Sequence, residues 1–398
     1  MKIPSPKNYF DGEISHGFVS LYTGKTIVMI SSGLLGLFLP IFVYNLFGQN
    51  FRYLVFFHVA GYFLYALILF FGVKFLNKFG FRRALKTSVF LGAAYYTIFY
   101  FVDQGNIIKL LPLIFIVLTL YRLFYWVPYH VDFAKFTSKE NRGRQISAIN
   151  ITGEVIGIFI PLMGGFVISR FGFDALFVTS VILYLVSGIP YLTIPKTQEK
   201  FSWTYSETLK NLFSKKYRKE IIAFAADGAE TSFMILVWPI FIFQLLSGNY
   251  LKIGIVSTLI IGISIFFQLL IGKILDKTTR KEKILKAGSL LSSAGWIIKI
   301  FIENTFQVFA AGAFHNLMRI FSRTPFETLS YEIAADKGHY VDEFTVIREI
   351  SINMGRVTML LLAAWLSLYL PIQYLFIMAA IASVALNLLR QENSNISG

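Results

Sequence analysis

The sequence predicts an all-α integral membrane protein, with twelve transmembrane helices arranged as two pseudo-symmetric six-helix bundles. Three observations carry that prediction. Hydrophobic residues make up 56% of the 398-residue chain and charged residues only 15%, where a soluble domain carries roughly 25% charged residues. Apolar runs recur that reach the ~20 residues a helix needs to cross a bilayer. The second half also echoes the first at an offset near half the chain. Asn77 and Asp276 lie 199 apart (276 − 77). Arg122 and Pro128 recur as Arg319 and Pro325 at 197 (319 − 122), and Gly153-Glu154 recurs as Gly355-Arg356 at 202 (355 − 153).

From the N-terminus, hydropathy places spans at about 24–48, 53–73, 86–103, 107–130, 146–168, 173–194, 220–246, 252–272, 286–303, 305–327, 347–369 and 371–389. The first ~20 residues are polar, with Pro4, Pro6, Asp11 and Glu13, and do not read as a cleavable signal, so the first span itself targets the chain. That span holds Lys25 near one end and Asn45 near the other. Gly48-Gln49-Asn50-Phe51 and Gly248-Asn249-Tyr250 are short connections that leave no room for an ectodomain. A basic turn, Asn77-Lys78-Phe79-Gly80-Phe81-Arg82-Arg83, joins spans two and three. Its echo, Gly272-Lys273-Ile274-Leu275-Asp276-Lys277-Thr278-Thr279-Arg280-Lys281, joins eight and nine. The longest polar stretch falls at the midpoint and sets the domain expectation. Residues 1–194 form an N-terminal half, 195–219 a cytoplasmic linker and 220–398 a C-terminal half.

Charge placement excludes a nucleic-acid reading of the net +15. Lys and Arg crowd into alternate connections, above all the midpoint linker with Lys196, Lys200, Lys210, Lys215, Lys216, Arg218 and Lys219. This is the positive-inside pattern, and it predicts a multi-pass protein of a prokaryotic cytoplasmic membrane with both termini inside. The chain has no cysteine and five scattered histidines, so disulfides and metal sites are not expected. No Gly-rich phosphate loop with Lys-Ser/Thr suggests ATP drive.

Ionisable residues within spans are costly and mark function or pairing. Span seven carries Asp227 and Glu230, three apart and on one helical face. Such carboxyls, in a low-dielectric cavity, can take up and release a proton; permanent pairing with Arg319 or Arg323 is the alternative. Glu154 in span five is a further proton candidate, or else a partner of Arg356. Span ten repeats a polar residue every fourth position through His315, Arg319, Arg323 and Glu327, and span four does so through Arg122, Trp126 and His130. Arg122 and Arg319 suit a carboxylate or phosphate ligand, or an interhelical pair. His58 and His315 read more readily as packed than as ligating. Gly153, Gly157, Gly164 and Gly165 suit close helix packing rather than gating.

Taken together the chain resembles the major facilitator superfamily over essentially its whole length. That family's loop motif, Gly-x-Leu-Ala-Asp-Arg-x-Gly-Arg-Lys, is matched by Gly272, Asp276, Lys277, Arg280 and Lys281, with Thr279 in place of the second glycine. The first copy keeps Lys78, Gly80, Arg82 and Arg83 but has Asn77 for the aspartate and Val73 for the first glycine. Leu118 and Arg122 resemble the motif of span four, and Pro161-Leu162-Met163-Gly164-Gly165 the exporter stretch of span five, with Ile160 in place of its leading glycine.

The resemblance implies that spans one, four, seven and ten line a central cavity. That would place Arg122, Trp126, His315, Arg319 and Arg323 as substrate contacts, and make the basic turns a conformational gate. The expectation is a secondary active transporter of a small solute working by alternating access. It would be proton-coupled, without cofactor, in contact with membrane lipid and monomeric, with export of an amphipathic or drug-like compound marginally favoured. The alternatives are proton-coupled transport of a small organic anion or sugar, and a lipid flippase or scramblase on the same fold. An enzyme is not expected. The nearest constellation, His130 with Asp132, points to different sides of a helix.

Overall fold

The computed structural model describes residues 14–137, 142–196, 205–275, 281–336 and 341–389. Helical rods follow one another through them. α1 runs His16–Gly36, breaks for two residues and resumes as Leu39–Leu46; α2 is Phe51–Phe79, α3 Phe81–Tyr100 and α4 Ile107–Phe136. A helical run Arg142–Leu192 is broken at Gly172, giving α5 before the break and α6 after it. A short helix Tyr205–Leu212 and a 3-10 turn lead into α7, which runs Arg218–Ser232, passes through a π turn at Phe233–Val237 and ends as Trp238–Leu245. α8 is Tyr250–Leu275, α9 Lys281–Ile298, α10 Thr305–Asp336, α11 Val341–Leu366 and α12 Phe376–Ala385 between 3-10 turns.

Several rods outrun the spans read from hydropathy. α2 continues to Phe79 and α10 to Asp336, and α1 begins at His16. Hydropathy marks the hydrocarbon crossing, whereas backbone hydrogen bonding continues into polar residues beyond it. Seven stretches among the described residues are apolar and long enough to cross a bilayer; the α5–α6 run counts as one of them, and α3, α10 and α11 fall outside because they are more polar.

Local chemistry sets the boundaries. Ser15 caps α1, accepting from the Phe18 N–H at 3.1 Å, while its hydroxyl donates to the Phe136 carbonyl at 2.7 Å and ties the start of α1 to the end of α4. Gly80 (φ 89°) and Gly172 (φ 78°) provide the positive-φ reversals between α2 and α3 and between α5 and α6, a conformation that strains any side chain. The π turn of α7 leads into Pro239, whose missing N–H interrupts the regular ladder there.

The rods gather into two compact units. One takes the chain up to Phe42, Phe71–Phe201 and Tyr250–Thr258; the other takes Val43–Phe70, Ser202–Asn249 and Leu259 onward. In the first, α1 packs on the α5–α6 run, and α3 packs on α4 and on that same run. In the second, α7 packs on α11 and α12, α9 on α10, and α9 on α12. The partnerships recur six helices later, so the sequence repeat is also a packing repeat.

Aromatic residues fill the first unit, where Phe42 packs on Phe99, Phe173 and Phe177 at 4.8–6.1 Å between ring centroids. Phe224, Phe326, Leu329, Phe344 and Ile352 centre the second. Phe56, Phe63, Leu67, Phe71 and Phe75 stay exposed along α2, as a lipid-facing surface requires.

Small residues set the closest helix crossings. A side chain on Gly165 would meet the Tyr250 carbonyl at 2.5 Å, and one on Gly254 would run into the Pro161 carbonyl. Gly164 lies against Leu34 and Phe38 and Gly153 against Met29, while Gly157 faces open space. The Pro161–Gly165 stretch therefore packs α5 on the first turns of α8. In the second unit Gly228 of α7 abuts the Ile352 backbone and Gly355 of α11 abuts that of Ala225. Gly355→Val is expected to cost about 1–3 kcal/mol by overpacking this crossing, read as a lower thermal midpoint in detergent. An unchanged midpoint would contradict the crossing.

Candidate functional site

Asp227 and Glu230 share a face of α7 but keep different company. Asp227 has a side chain only 5% exposed and forms an ion pair with the Arg323 guanidinium on α10. Arg323 also donates from Nε to Glu327 at 2.7 Å, one turn along the same helix. The Thr231 hydroxyl donates to the Asp227 backbone carbonyl at 2.6 Å. Asp227, Arg323 and Glu327 thus form one network, two acids about one base.

Glu230 turns instead toward α9. Its Oε1 accepts from the Ser292 hydroxyl at 3.2 Å and from the Trp296 indole N–H at 3.2 Å. His315 Nε2 lies 3.3 Å from the Ser292 Oγ and 4.0 Å from Glu230. The His315 ring packs edgewise on Trp296 with 4.4 Å between centroids. Lys299, at the end of α9, sets its ammonium 4.0 Å from the ring centroids of both Trp238 and Trp296 and 3.8 Å from the Met234 sulfur. Glu230, Ser292, His315 and Lys299 are all 0–2% exposed. The cluster is closed, and Glu230 lies three residues before the π turn of α7 that begins at Phe233, a feature that recurs at functional sites.

Arg319 stands between these two groups on α10. It is half-buried, and its buried Nε has no hydrogen-bond partner among the described residues.

In the first unit the side chain of Lys25 enters an aromatic pocket made by α4. Its ammonium lies 4.5 Å from the Trp126 ring centroid, 4.9 Å from Tyr129 and 5.3 Å from Tyr125. The four-residue spacing stacks Tyr121 on Tyr125 at 5.6 Å and Tyr125 on Tyr129 at 5.8 Å. It also stacks Trp126 on His130 at 5.7 Å. Arg122 and Glu154 are half-buried in this unit, and Asp132 is fully buried.

The basic turn between α2 and α3 has a visible role. Arg82 donates from Nη2 to the Leu192 carbonyl at 3.0 Å, closing the C-terminus of α6, where orphan carbonyls favour a cation. Lys78 and Arg83 are exposed beside Gly80. In the second copy Gly272 lies in α8 and Lys281 opens α9, while Asp276, Lys277 and Arg280 fall outside the described residues. Arg356, the candidate partner for Glu154, sets its guanidinium 4.9 Å over Tyr62 and its Nη1 3.4 Å from Asn353. His58 binds the carbonyl of Leu54 through Nδ1 at 3.0 Å.

Sequence reasoning named Glu230 and His315 but missed Ser292, Trp296 and Lys299, which join them. A lysine inside an apolar span, one turn after a tryptophan, was the available signal. It likewise missed Tyr125 and Tyr129 around Lys25.

The profile of the Major Facilitator Superfamily matches residues 21–225 and again 220–394. The chain belongs to the Major Facilitator Superfamily. Membership accounts for the twelve rods and for the six-helix repeat. Among relatives of this superfamily protein, the uncharacterized protein YqgE of Bacillus subtilis (strain 168) is 23% identical over 250 residues. That match spans 60% of this chain and 57% of the relative's length. Two crystal structures of the peptide transporter POT share the fold at a TM-score of 0.67, covering 94% of this chain and 93% of theirs. One is a point mutant in complex with alafosfalin, at 11% identity, and the other a complex with sulfate, at 10%.

Proposed function

We propose that the protein is a secondary active transporter that moves a small solute by alternating access and couples it to protons through Glu230. The superfamily supports the transport reading. The company of Glu230 carries the choice of residue. Its direct hydrogen bonds come from neutral groups, a serine hydroxyl that can donate or accept and an indole N–H. His315 stands 4.0 Å away, and the Lys299 ammonium lies over the same Trp296 ring. A proton on Glu230 breaks no contact with a base shorter than 4.0 Å. Asp227 differs, since protonating it would leave Arg323 with Glu327 alone. Asp227, Arg323 and Glu327 then serve as a structural network beside the coupling residue.

The Lys and Arg distribution supports a prokaryotic cytoplasmic membrane as the protein's location, with both termini inside. Export is the direction suggested by the likeness of Pro161–Gly165 to the exporter stretch.

The test is proton movement in sealed proteoliposomes carrying a pH-sensitive dye, challenged in turn with benzoate, gluconate, glucose and ethidium. Wild type is expected to shift the luminal pH with one class of solute. Glu230→Gln abolishes that shift while isotope exchange of the same solute continues. A Glu230→Gln protein that still moves protons with its solute would remove Glu230 from the coupling role.

A further inference from the structure

The repeat permits a position-by-position comparison of the two units. Helices α4 and α10 correspond at 197, which sets Trp126 against Arg323 and His130 against Glu327 (323 − 126 and 327 − 130). Helices α5 and α11 correspond at 202. The same offset sets Lys25 of α1 against Asp227 of α7 (227 − 25). Contacts support this pairing independently, since Asp227 reaches Arg323 and Lys25 reaches Trp126. Each unit thus makes the same contact, between its first helix and its fourth, with different chemistry.

In the second unit the charges close on one another, Arg323 between Asp227 and Glu327. In the first, the equivalent of that network is one ammonium facing three rings. Among the described residues Lys25 makes no hydrogen bond and no ion pair; its contacts are with Tyr125, Trp126 and Tyr129. Ring faces attract the charge but do not replace an oxygen acceptor for its three N–H donors. A cation within a membrane span without an acid is costly, and such residues mark ligand or ion pathways. Lys25 is also only half-buried, unlike the sealed Lys299. Arg319, with its buried Nε unpartnered, is a second cation of this kind, in the other unit.

Resting on the transport reading above, we propose that the solute is a small organic oxyanion. Its carboxylate or phosphate pairs with Lys25, and its planar or apolar part lies along the Trp126 and Tyr129 rings. The solute supplies in the first unit the acid that Asp227 supplies in the second.

The test uses the purified full-length protein in detergent, without a proton gradient. Benzoate, gluconate and phenyl phosphate are the anionic probes; benzyl alcohol and benzylamine are the neutral and cationic controls. Binding is read as a shift in thermal midpoint and as protection of Lys25 from reductive methylation, followed by mass spectrometry. At least one anion is expected to bind and protect Lys25, and the controls are not. Lys25→Met should weaken that binding tenfold or more, and Lys25→Arg should keep most of it. Equal anion binding by wild type and Lys25→Met would overturn the proposal. So would protection by benzyl alcohol or benzylamine alone, or no binding of any anion. If Lys25→Met does not fold, methylation protection in the wild type decides. Anion binding with no proton movement would defeat only the coupling through Glu230, whereas proton movement driven by glucose or ethidium would defeat only the anion.

Discussion

Replacing Arg323 with methionine is expected to cost about 3–5 kcal/mol of stability, because it strands a buried acid. Methionine keeps the apolar stem of the side chain, so the loss isolates the charge. Asp227 would be left with its side chain 5% exposed and without its ion-pair partner, and Glu327 would lose its 2.7 Å partner. Asp227→Asn in the same background removes the stranded charge and should recover much of the loss. That recovery separates an ion-pair effect from a packing effect, since the two substitutions interact only if the groups do. Denaturant midpoints of the four proteins in detergent provide the measurement. A loss under ~1 kcal/mol, typical of exposed pairs, with no interaction between the substitutions, would mean that the network is not a structural unit.

The second large effect lies at Trp296. This ring is fully buried. It holds Glu230 through its N–H, carries Lys299 on its face, and packs on Phe233, Phe376 and His315. Trp296→Ala is expected to cost about 3–5 kcal/mol for the volume alone. Trp296→Phe preserves most of the ring but removes the donor, which leaves the Glu230 carboxyl with one fewer buried partner, at about 1–3 kcal/mol. Thermal unfolding of both variants separates the two terms. A phenylalanine variant as stable as wild type would show that the indole N–H contributes nothing to holding Glu230.

The fold was legible because its signals are collective. Twelve apolar runs, alternating basic connections and three agreeing offsets each constrain the same architecture. Helix ends were less legible, since α10 carries on to Asp336 where hydropathy has already fallen. The site was legible by residue type, and by partner only at Asp227, for which pairing with Arg323 was one of the alternatives. The four-residue stripe through His315, Arg319, Arg323 and Glu327 reads as one feature in sequence. In the fold it divides, His315 joining α9 and Arg323 joining α7. Periodicity along one helix cannot specify which neighbour each residue meets, because that depends on tertiary packing. Gly228 and Gly355 illustrate the point, as their crossing brings α7 and α11 to backbone contact although nothing in either helix alone names the other.

Glu230 as a carboxyl that takes up and releases a proton within the folded protein is the central claim. Infrared difference spectroscopy of the protein in lipid tests it most directly, by recording the protonated-carboxyl band as the pH is lowered. The account predicts a band that appears in wild type and in Asp227→Asn and is missing from Glu230→Gln. A spectrum in which Glu230→Gln retains that band, and Asp227→Asn loses it, would transfer the proton to the Asp227 network and contradict the account.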